Sequence, residues 1–173
     1  MDTTQTTDTG ERADLLESLA RHRYFLRLTA RDLTDEQARQ RTTSSELCVG
    51  GLIKHVALTE RRWADFIVHG PSAMTSGGAT SRYEWQDAFR MLEGETLGGL
   101  LELYEQVAAR TDKLVSELVD LDDSHPLPPA PWFEPGARWS ARRVVLHIIA
   151  ETAQHAGHAD IIREALDGAK SMG

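Results

Sequence analysis

The stretch VVLHIIAETAQHAGHADIIR, from Val144 to Arg163, is nearly all apolar, yet it carries Glu151, His155 and His158. On a helix of about 3.6 residues per turn, Val144, Ile148, Glu151, His155, His158 and Ile162 recur in steps of four and three and share one narrow stripe. Ala150, Ala153, Leu146 and Ile149 occupy much of the remaining circumference, so the helix is expected to be enclosed on most sides. Ionisable groups held in such surroundings need partners, because an unpaired charge is costly to bury. Glu151 and His155 lie one turn apart, close enough to act on one ion together. A divalent metal is the partner that suits a carboxylate and an imidazole at that spacing.

A third ligand must come from another helix. His55 is the best candidate: it lies on the inner flank of a long amphipathic helix, beside Thr59 and Phe66 and one turn after the paired glycines Gly50 and Gly51. Those glycines permit close approach of another segment to the helix backbone. Two histidines and one carboxylate leave coordination positions open for water or substrate, as in catalytic zinc sites. Nickel and iron(II) accept the same donors. The pattern is not the H-E-x-x-H of metalloproteases, since Ala150 precedes Glu151, and Glu151 is therefore assigned as a ligand rather than a general base.

The same helix offers two more imidazoles. His158 is assigned the catalytic role beside the metal, as a donor to a ligand or a proton shuttle, whereas His147, rotated toward the edge of the seam, is read as structural. His22 falls in an apolar row and is read as a core or rim residue. His69 suits a helix C-terminus, and His125 stands in a proline-rich connection with no visible partner. Cys48 reads as a buried apolar residue. Arg61, Arg62, Arg142 and Arg143 could bind an anion but read as solvated helix faces.

The elements that must position these groups are helical. Leu15, Leu19, His22 and Leu26 predict a first helix from Glu11 to Asp32. Thr34 to Gln37 reads as a capping box opening a short helix through Arg41. A second long helix is expected from Glu46 to Val68, with Leu52, Val56, Thr59, Trp63 and Phe66 inward. The run from Gly70 to Ser81 reads as a loop, either a lid or mouth over a site or a simple connector, and Arg82 to Met91 as a short helix. A third long helix is expected from Thr96 to Val119, with Leu100, Tyr104, Val107, Thr111, Leu114 and Leu118 inward. Five prolines between Asp120 and Arg138 demand an extended crossover. Ser140 then caps the last helix and Gly168 stops it. Four long helices and one long crossover describe an all-α four-helix bundle.

The chain's 173 residues suit one domain, with residues 1–10 as a disordered tail and 11–173 as the bundle. A net charge of −8 argues against a nucleic-acid partner. One cysteine excludes an internal disulfide. The N-terminal residues form neither a signal peptide nor a membrane span, which places the protein in the cytoplasm without a membrane partner. The bundle faces leave room for a homodimer.

The sequences GGLIKHVALTERRW around His55 and ETAQHAGHADIIRE around His155 resemble the DinB-like superfamily of metal-binding four-helix bundles. The resemblance covers nearly the whole chain after residue 10 and is nearest the bacterial thiol S-transferase branch that includes mycothiol-dependent maleylpyruvate isomerase. Many members place two histidines four apart on the last helix, followed by an H-R-G-Q type ending. Here that ending reads His155, Ala156, Gly157, His158, with Glu151 at the upstream ligand position, as in the isomerase branch. By this match His55, Glu151 and His155 are the three ligands, and His158 replaces the usual glutamine. The resemblance implies a divalent metal, zinc before nickel or iron, and a low-molecular-weight thiol such as mycothiol attacking an electrophilic small molecule in S-transfer, conjugation or isomerisation. Two competing readings use the same residues: metal-dependent hydrolysis of a small amide or ester, and a non-catalytic, stress-related metal-binding bundle.

Overall fold

The computed structural model describes residues 5–75 and 87–171. Its elements are α1 (Gln5–Leu28), α2 (Asp35–Arg39), α3 (Val49–His69), α4 (Ser72–Thr75), α5 (Leu97–Glu117), β1 (Ser124–Pro126), β2 (Arg138–Ser140) and α6 (Ala141–Asp167). The four long helices form a closed ring in which α1 packs on α6, α6 on α3, α3 on α5 and α5 on α1. The architecture is therefore the all-α bundle that the apolar rows predict. No helix among the described residues is long and apolar enough to cross a membrane.

Local chemistry fixes most boundaries. The Thr34 hydroxyl accepts from the Gln37 amide while the Gln37 side chain accepts from the Thr34 amide, so the capping box forms as read. Ser140 caps α6 through the Arg143 amide, and Gly168 ends it at φ 80°, a left-handed conformation that glycine adopts without strain. The helix α1 starts at Gln5 rather than Glu11. Once the turn at Leu15 and Leu19 is packed, extending a helix outward costs little compared with nucleating one. Half of the loop expected from Gly70 to Ser81 and half of the short helix expected from Arg82 to Met91 lie outside the described residues; within them, Ser72–Thr75 forms α4, and residues 88–90 are turn and bend rather than helix.

Two apolar clusters fill the bundle. One joins Leu26 of α1, Leu52, Ile53 and Val56 of α3, Leu100 and Tyr104 of α5, and Ala159 and Ile162 of α6. The other joins Leu15 and Leu19 of α1, Trp63, Phe66 and Ile67 of α3, Val115 of α5, and Val144, Val145 and Ile148 of α6. The order of these residues along each helix makes α1 parallel to α6 and α3 parallel to α5. The end of α3 and the start of α5 therefore lie at opposite ends of the bundle, whereas the proline-rich segment, where the prolines predict the crossover, joins α5 and α6 at the same end. That segment instead folds into a hairpin, with Ser124 opposite Ser140, His125 opposite Trp139 and Pro126 opposite Arg138. Backbone bonds from Ala141 to Asp123 and from Arg142 to Leu121 tie it to the start of α6.

Between the apolar clusters each long helix contributes buried polar groups: Arg23, His55, Glu60, Thr111, Thr152 and His155. The inward rows differ accordingly from those predicted. Arg23 rather than His22 is buried on α1, and Glu60 rather than the half-buried Thr59 on α3. On α6 the centre of the seam is Thr152, His155 and Ala159, with Glu151 and His158 at its half-buried edge. Leu146 is 45% exposed and Ala150 is exposed, so α6 keeps one face in solvent rather than being enclosed on most sides.

Candidate metal centre

His55 is held on α3 from two directions. The backbone of the segment before α5 lies directly on the glycine pair: a Cβ on Gly51 would stand 1.9 Å from the Phe89 carbonyl oxygen, and one on Gly50 would stand 2.7 Å from Met91 Sδ. Such an approach needs glycine at 51. It brings the Phe89 ring flat onto His55, with centroids 3.8 Å apart and planes 19° from parallel. Thr59, one turn along α3, has its hydroxyl 3.5 Å from His55 Nε2. The imidazole is 5% exposed and so points into the bundle in a fixed plane.

Across from it, α6 carries the other two groups. His155 meets His55 edge to face, with ring centroids 4.8 Å apart. Its Nε2 lies 3.5 Å from Glu151 Oε2, while its Nδ1 lies 3.3 Å from His158 Nδ1. The second oxygen of Glu151, Oε1, lies 3.8 Å from His147 Nε2. Along one row of α6 the order is therefore imidazole, carboxylate, imidazole, imidazole, each facing the next.

Electrostatics prepare the protonation states a cation requires. Burial, reinforced by the neighbouring His155, pushes the His55 pKa down to about 4 against a weaker opposing pull from Glu151, so this imidazole is neutral at physiological pH. The contact from His155 holds the Glu151 carboxyl below its ordinary range despite burial, and His147, His155 and His55 add to the effect. Burial likewise lowers His147. Metal ligands must be deprotonated before they bind, and His55 and Glu151 already are.

The donor set fits a metal ion. One ligand atom from each of His55, Glu151 and His155 lies within 4.8 Å of the others. Donors about 2.0–2.2 Å from a tetrahedral zinc are ~3.4 Å from one another, close to the 3.5 Å between His155 Nε2 and Glu151 Oε2. Glu151 is 27% exposed at its side chain, against 11% for His155, so access to the cluster is from the Glu151 side.

The three residues named as ligands from the sequence are thus brought together, and His158 stands behind His155 instead of over the open side. His147, read as structural, contacts Glu151. His125 finds the partner that the sequence did not reveal: its Nε2 lies 3.1 Å from the Ile67 carbonyl, and its ring packs on Phe66 and under Gly70. His69 ends α3 in solvent, and Cys48 is buried before its first turn. Arg142 is bound to Glu11 and Asp122, while the Arg143 guanidinium lies 4.6 Å over the Trp139 ring. Sequence reasoning missed Phe89 altogether; the glycine pair was the signal that something packs there, without saying what.

The fold recurs in a crystal structure of a conserved protein from Enterococcus faecalis, at 16% identity, with a TM-score of 0.67 over 98% of this chain and 99% of that one. No curated protein matches the sequence. A family model described as mycothiol-S-transferase matches residues 14–168, from within α1 through the end of α6, and includes every residue of the His55, Glu151 and His155 cluster. The chain belongs to the mycothiol-S-transferase family of DinB-like bundles.

Proposed function

We propose that the protein is a metal-dependent thiol S-transferase in which His55, Glu151 and His155 hold a divalent ion, zinc before nickel or iron(II). The observation that carries this reading is the convergence of two imidazoles and a carboxylate within 4.8 Å at a half-open edge of the bundle, in a chain of this family. Such an ion, when bound, lowers the pKa of a thiol and makes the thiolate available at neutral pH. The thiol is of the mycothiol class and the second substrate is an electrophilic small molecule. A sulfur–carbon bond forms at the electrophile either as its leaving group departs, the thiol proton passing to solvent, or as its double bond is saturated, the adjacent carbon taking up a proton in exchange, with solvent reached at the half-buried Glu151 edge.

The chain's own residues supply orientation. His55, fixed by Phe89 and Thr59, and His155, fixed from behind by His158, would hold the ion from two helices, and a thiol would reach it from the more exposed Glu151 side. For His155 to ligate through Nε2, its Nδ1–H donates to His158 Nδ1, which sets the tautomer. His158 therefore acts through His155.

The test uses protein purified without a polyhistidine tag. Metal content is measured, and consumption of mycothiol and of a chromogenic electrophile is followed with and without chelator. The expected result is stoichiometric metal, with consumption of both substrates abolished by chelation and by His55→Ala and restored to the chelated wild-type protein by zinc. Turnover that persists without thiol would identify metal-dependent hydrolysis instead. Absence of metal together with unchanged stability of His55→Ala would identify a non-catalytic bundle.

A further inference from the structure

We infer that His147 is a positioning residue for Glu151: it holds the carboxylate oxygen turned away from His155 and thereby sets which oxygen is offered to a cation. The inference rests on the metal-centre reading above and extends it to a residue outside the ligand set.

The first observation is the division of Glu151 between two imidazoles. Oε2 faces His155 Nε2 at 3.5 Å, and Oε1 faces His147 Nε2 at 3.8 Å, from one turn on either side along α6. A separation of 3.8 Å is longer than a hydrogen bond. The terminal torsion of a glutamate is soft, and a rotation that draws Oε2 toward a cation can bring Oε1 within reach of an Nε2–H donor. A carboxylate with one oxygen so held binds through the other alone. Left free, it can chelate through both or swing to solvent, toward which its side chain is already 27% exposed.

The second observation is how firmly the His147 ring is fixed. It packs edge-on against Trp63 of α3, at 4.8 Å and 75°, and against Trp139 of β2, at 5.1 Å and 64°. The two indoles are themselves stacked at 4.8 Å and 18°. Arg143, one turn before His147, adds its guanidinium to the Trp139 ring. Packing between indoles asks only for a flat or apolar side chain. A ring whose nitrogen is aimed at Glu151 by two other elements has a use beyond packing.

The third observation is the matching arrangement at the other end of the row. His158 meets the outer nitrogen of His155 at 3.3 Å, so each α6 ligand has an imidazole behind it. Partners of this kind fix the orientation of ligands and raise affinity.

Two replacements separate positioning from packing. His147→Phe keeps a flat ring between the indoles but has no donor, and His147→Gln restores an N–H of similar reach. Zinc affinity is measured by competition with a chromophoric chelator, the visible spectrum is recorded on cobalt(II)-loaded protein, and the melting temperature is taken on metal-free protein. His147→Phe is expected to melt with wild type when metal-free, yet to bind zinc about 10- to 100-fold more weakly and to alter the cobalt bands, with most of the affinity recovered in His147→Gln. Wild-type affinity and spectrum in His147→Phe, with binding abolished by His155→Ala, would overturn the inference and leave the metal centre standing. Failure of the wild-type protein to bind either metal would overturn both. If His147→Phe does not fold, a His147→Gln variant that binds no better than His147→Ala overturns the inference in its place.

Discussion

Two carboxylates are drawn into the middle of this bundle, and they are treated in opposite ways. Glu60, 1% exposed, gives both oxygens to Arg23, at 3.2 Å from Nε and 2.5 Å from NH2, and the remaining side of the guanidinium bonds Asp112 at 2.7 Å. The planar fork of arginine matches a carboxylate and keeps its charge at any accessible pH. Glu151 instead meets imidazoles at the looser distances of 3.5 and 3.8 Å, and the buried His55 across from it is held neutral. The first cluster is closed by a cation the chain supplies. The second gathers a carboxylate and two imidazoles within 4.8 Å of one another, with no arginine or lysine among them. What separates Glu60 from the proposed ligand Glu151 is thus whether an arginine already neutralises the carboxylate.

The largest effect should come from opening the closed cluster. Arg23→Ala leaves Glu60 buried without a partner, which costs about 3–5 kcal/mol when one half of a buried pair is removed. Urea denaturation of metal-free protein measures it. Molecules that remain folded should bind metal as wild type does, because Arg23 touches none of the three proposed ligands. A loss below about 1 kcal/mol, the range of exposed pairs, would mean that the waist around Glu60 is wetter than its burial implies.

This comparison also separates what the sequence discloses from what it conceals. The proposed ligand trio was legible because Glu151 and His155 break an apolar run at helical spacing, and because His55 lies one turn after a glycine pair that marks a close approach. Arg23 and Glu60 were not legible: each replaces one member of an apolar row by a residue type that periodicity assigns to solvent. Only pairing across helices α1 and α3 reveals that the two exceptions answer one another. The same limit hid His147, whose neighbours Trp63 and Trp139 arrive from other elements. It hid the crossover too, since prolines mark where a helix cannot run but do not say which helices are parallel. Local chemistry, such as the Thr34–Gln37 box and the Ser140 and Gly168 caps, was readable because its partners lie within a turn.

The open cluster should show itself next, through pH. His55 has a folded-state pKa of about 4 against an ordinary 6.5. Above pH 6.5 the imidazole is neutral in both states and the contribution is complete. Between 6.5 and 4 the unfolded chain takes up the proton first, so metal-free stability falls as pH drops, by on the order of 3 kcal/mol in all, and then levels. The lowered pKa of Glu151 acts in the same sense, its share being lost as pH falls through the folded value. Urea titrations at pH 7, 6, 5 and 4 test this. His55→Asn should remove the part of the slope that ends near pH 4, whereas a slope unchanged in that variant would assign it to other groups.

A smaller effect distinguishes the two glycines that bring Phe89 to His55. Gly51→Ala drives a methyl into the Phe89 carbonyl, and the backbone of that segment must shift. Overpacking of this kind costs about 1–3 kcal/mol, and the helix propensity of alanine returns ~1 kcal/mol. The net loss should be about 1 kcal/mol, accompanied by weaker metal binding as the Phe89 stack loosens. Gly50→Ala meets Met91 Sδ, which can swing aside, and the Ala38 carbonyl oxygen only at 3.3 Å, so it should cost less than Gly51→Ala. Equal effects at the two positions, by denaturation and chelator competition, would show that Phe89 does not brace the centre.

The smallest change is expected where the two clusters differ most in kind. Arg23→Met combined with Glu60→Leu removes a buried pair and leaves apolar groups of similar volume between the two apolar clusters, a replacement that elsewhere is neutral or stabilising by about 1–4 kcal/mol. Asp112, its side chain 45% exposed, can turn to water when it loses Arg23. The double variant should therefore recover most of what Arg23→Ala loses and retain wild-type metal affinity. The corresponding exchange in the open cluster, Glu151→Leu with His155→Leu, should also leave a stable fold but bind no metal. If the Arg23–Glu60 replacement instead abolished binding, the closed cluster would be setting the spacing of α3 against α6, and its ions would be part of the centre rather than its counterpart.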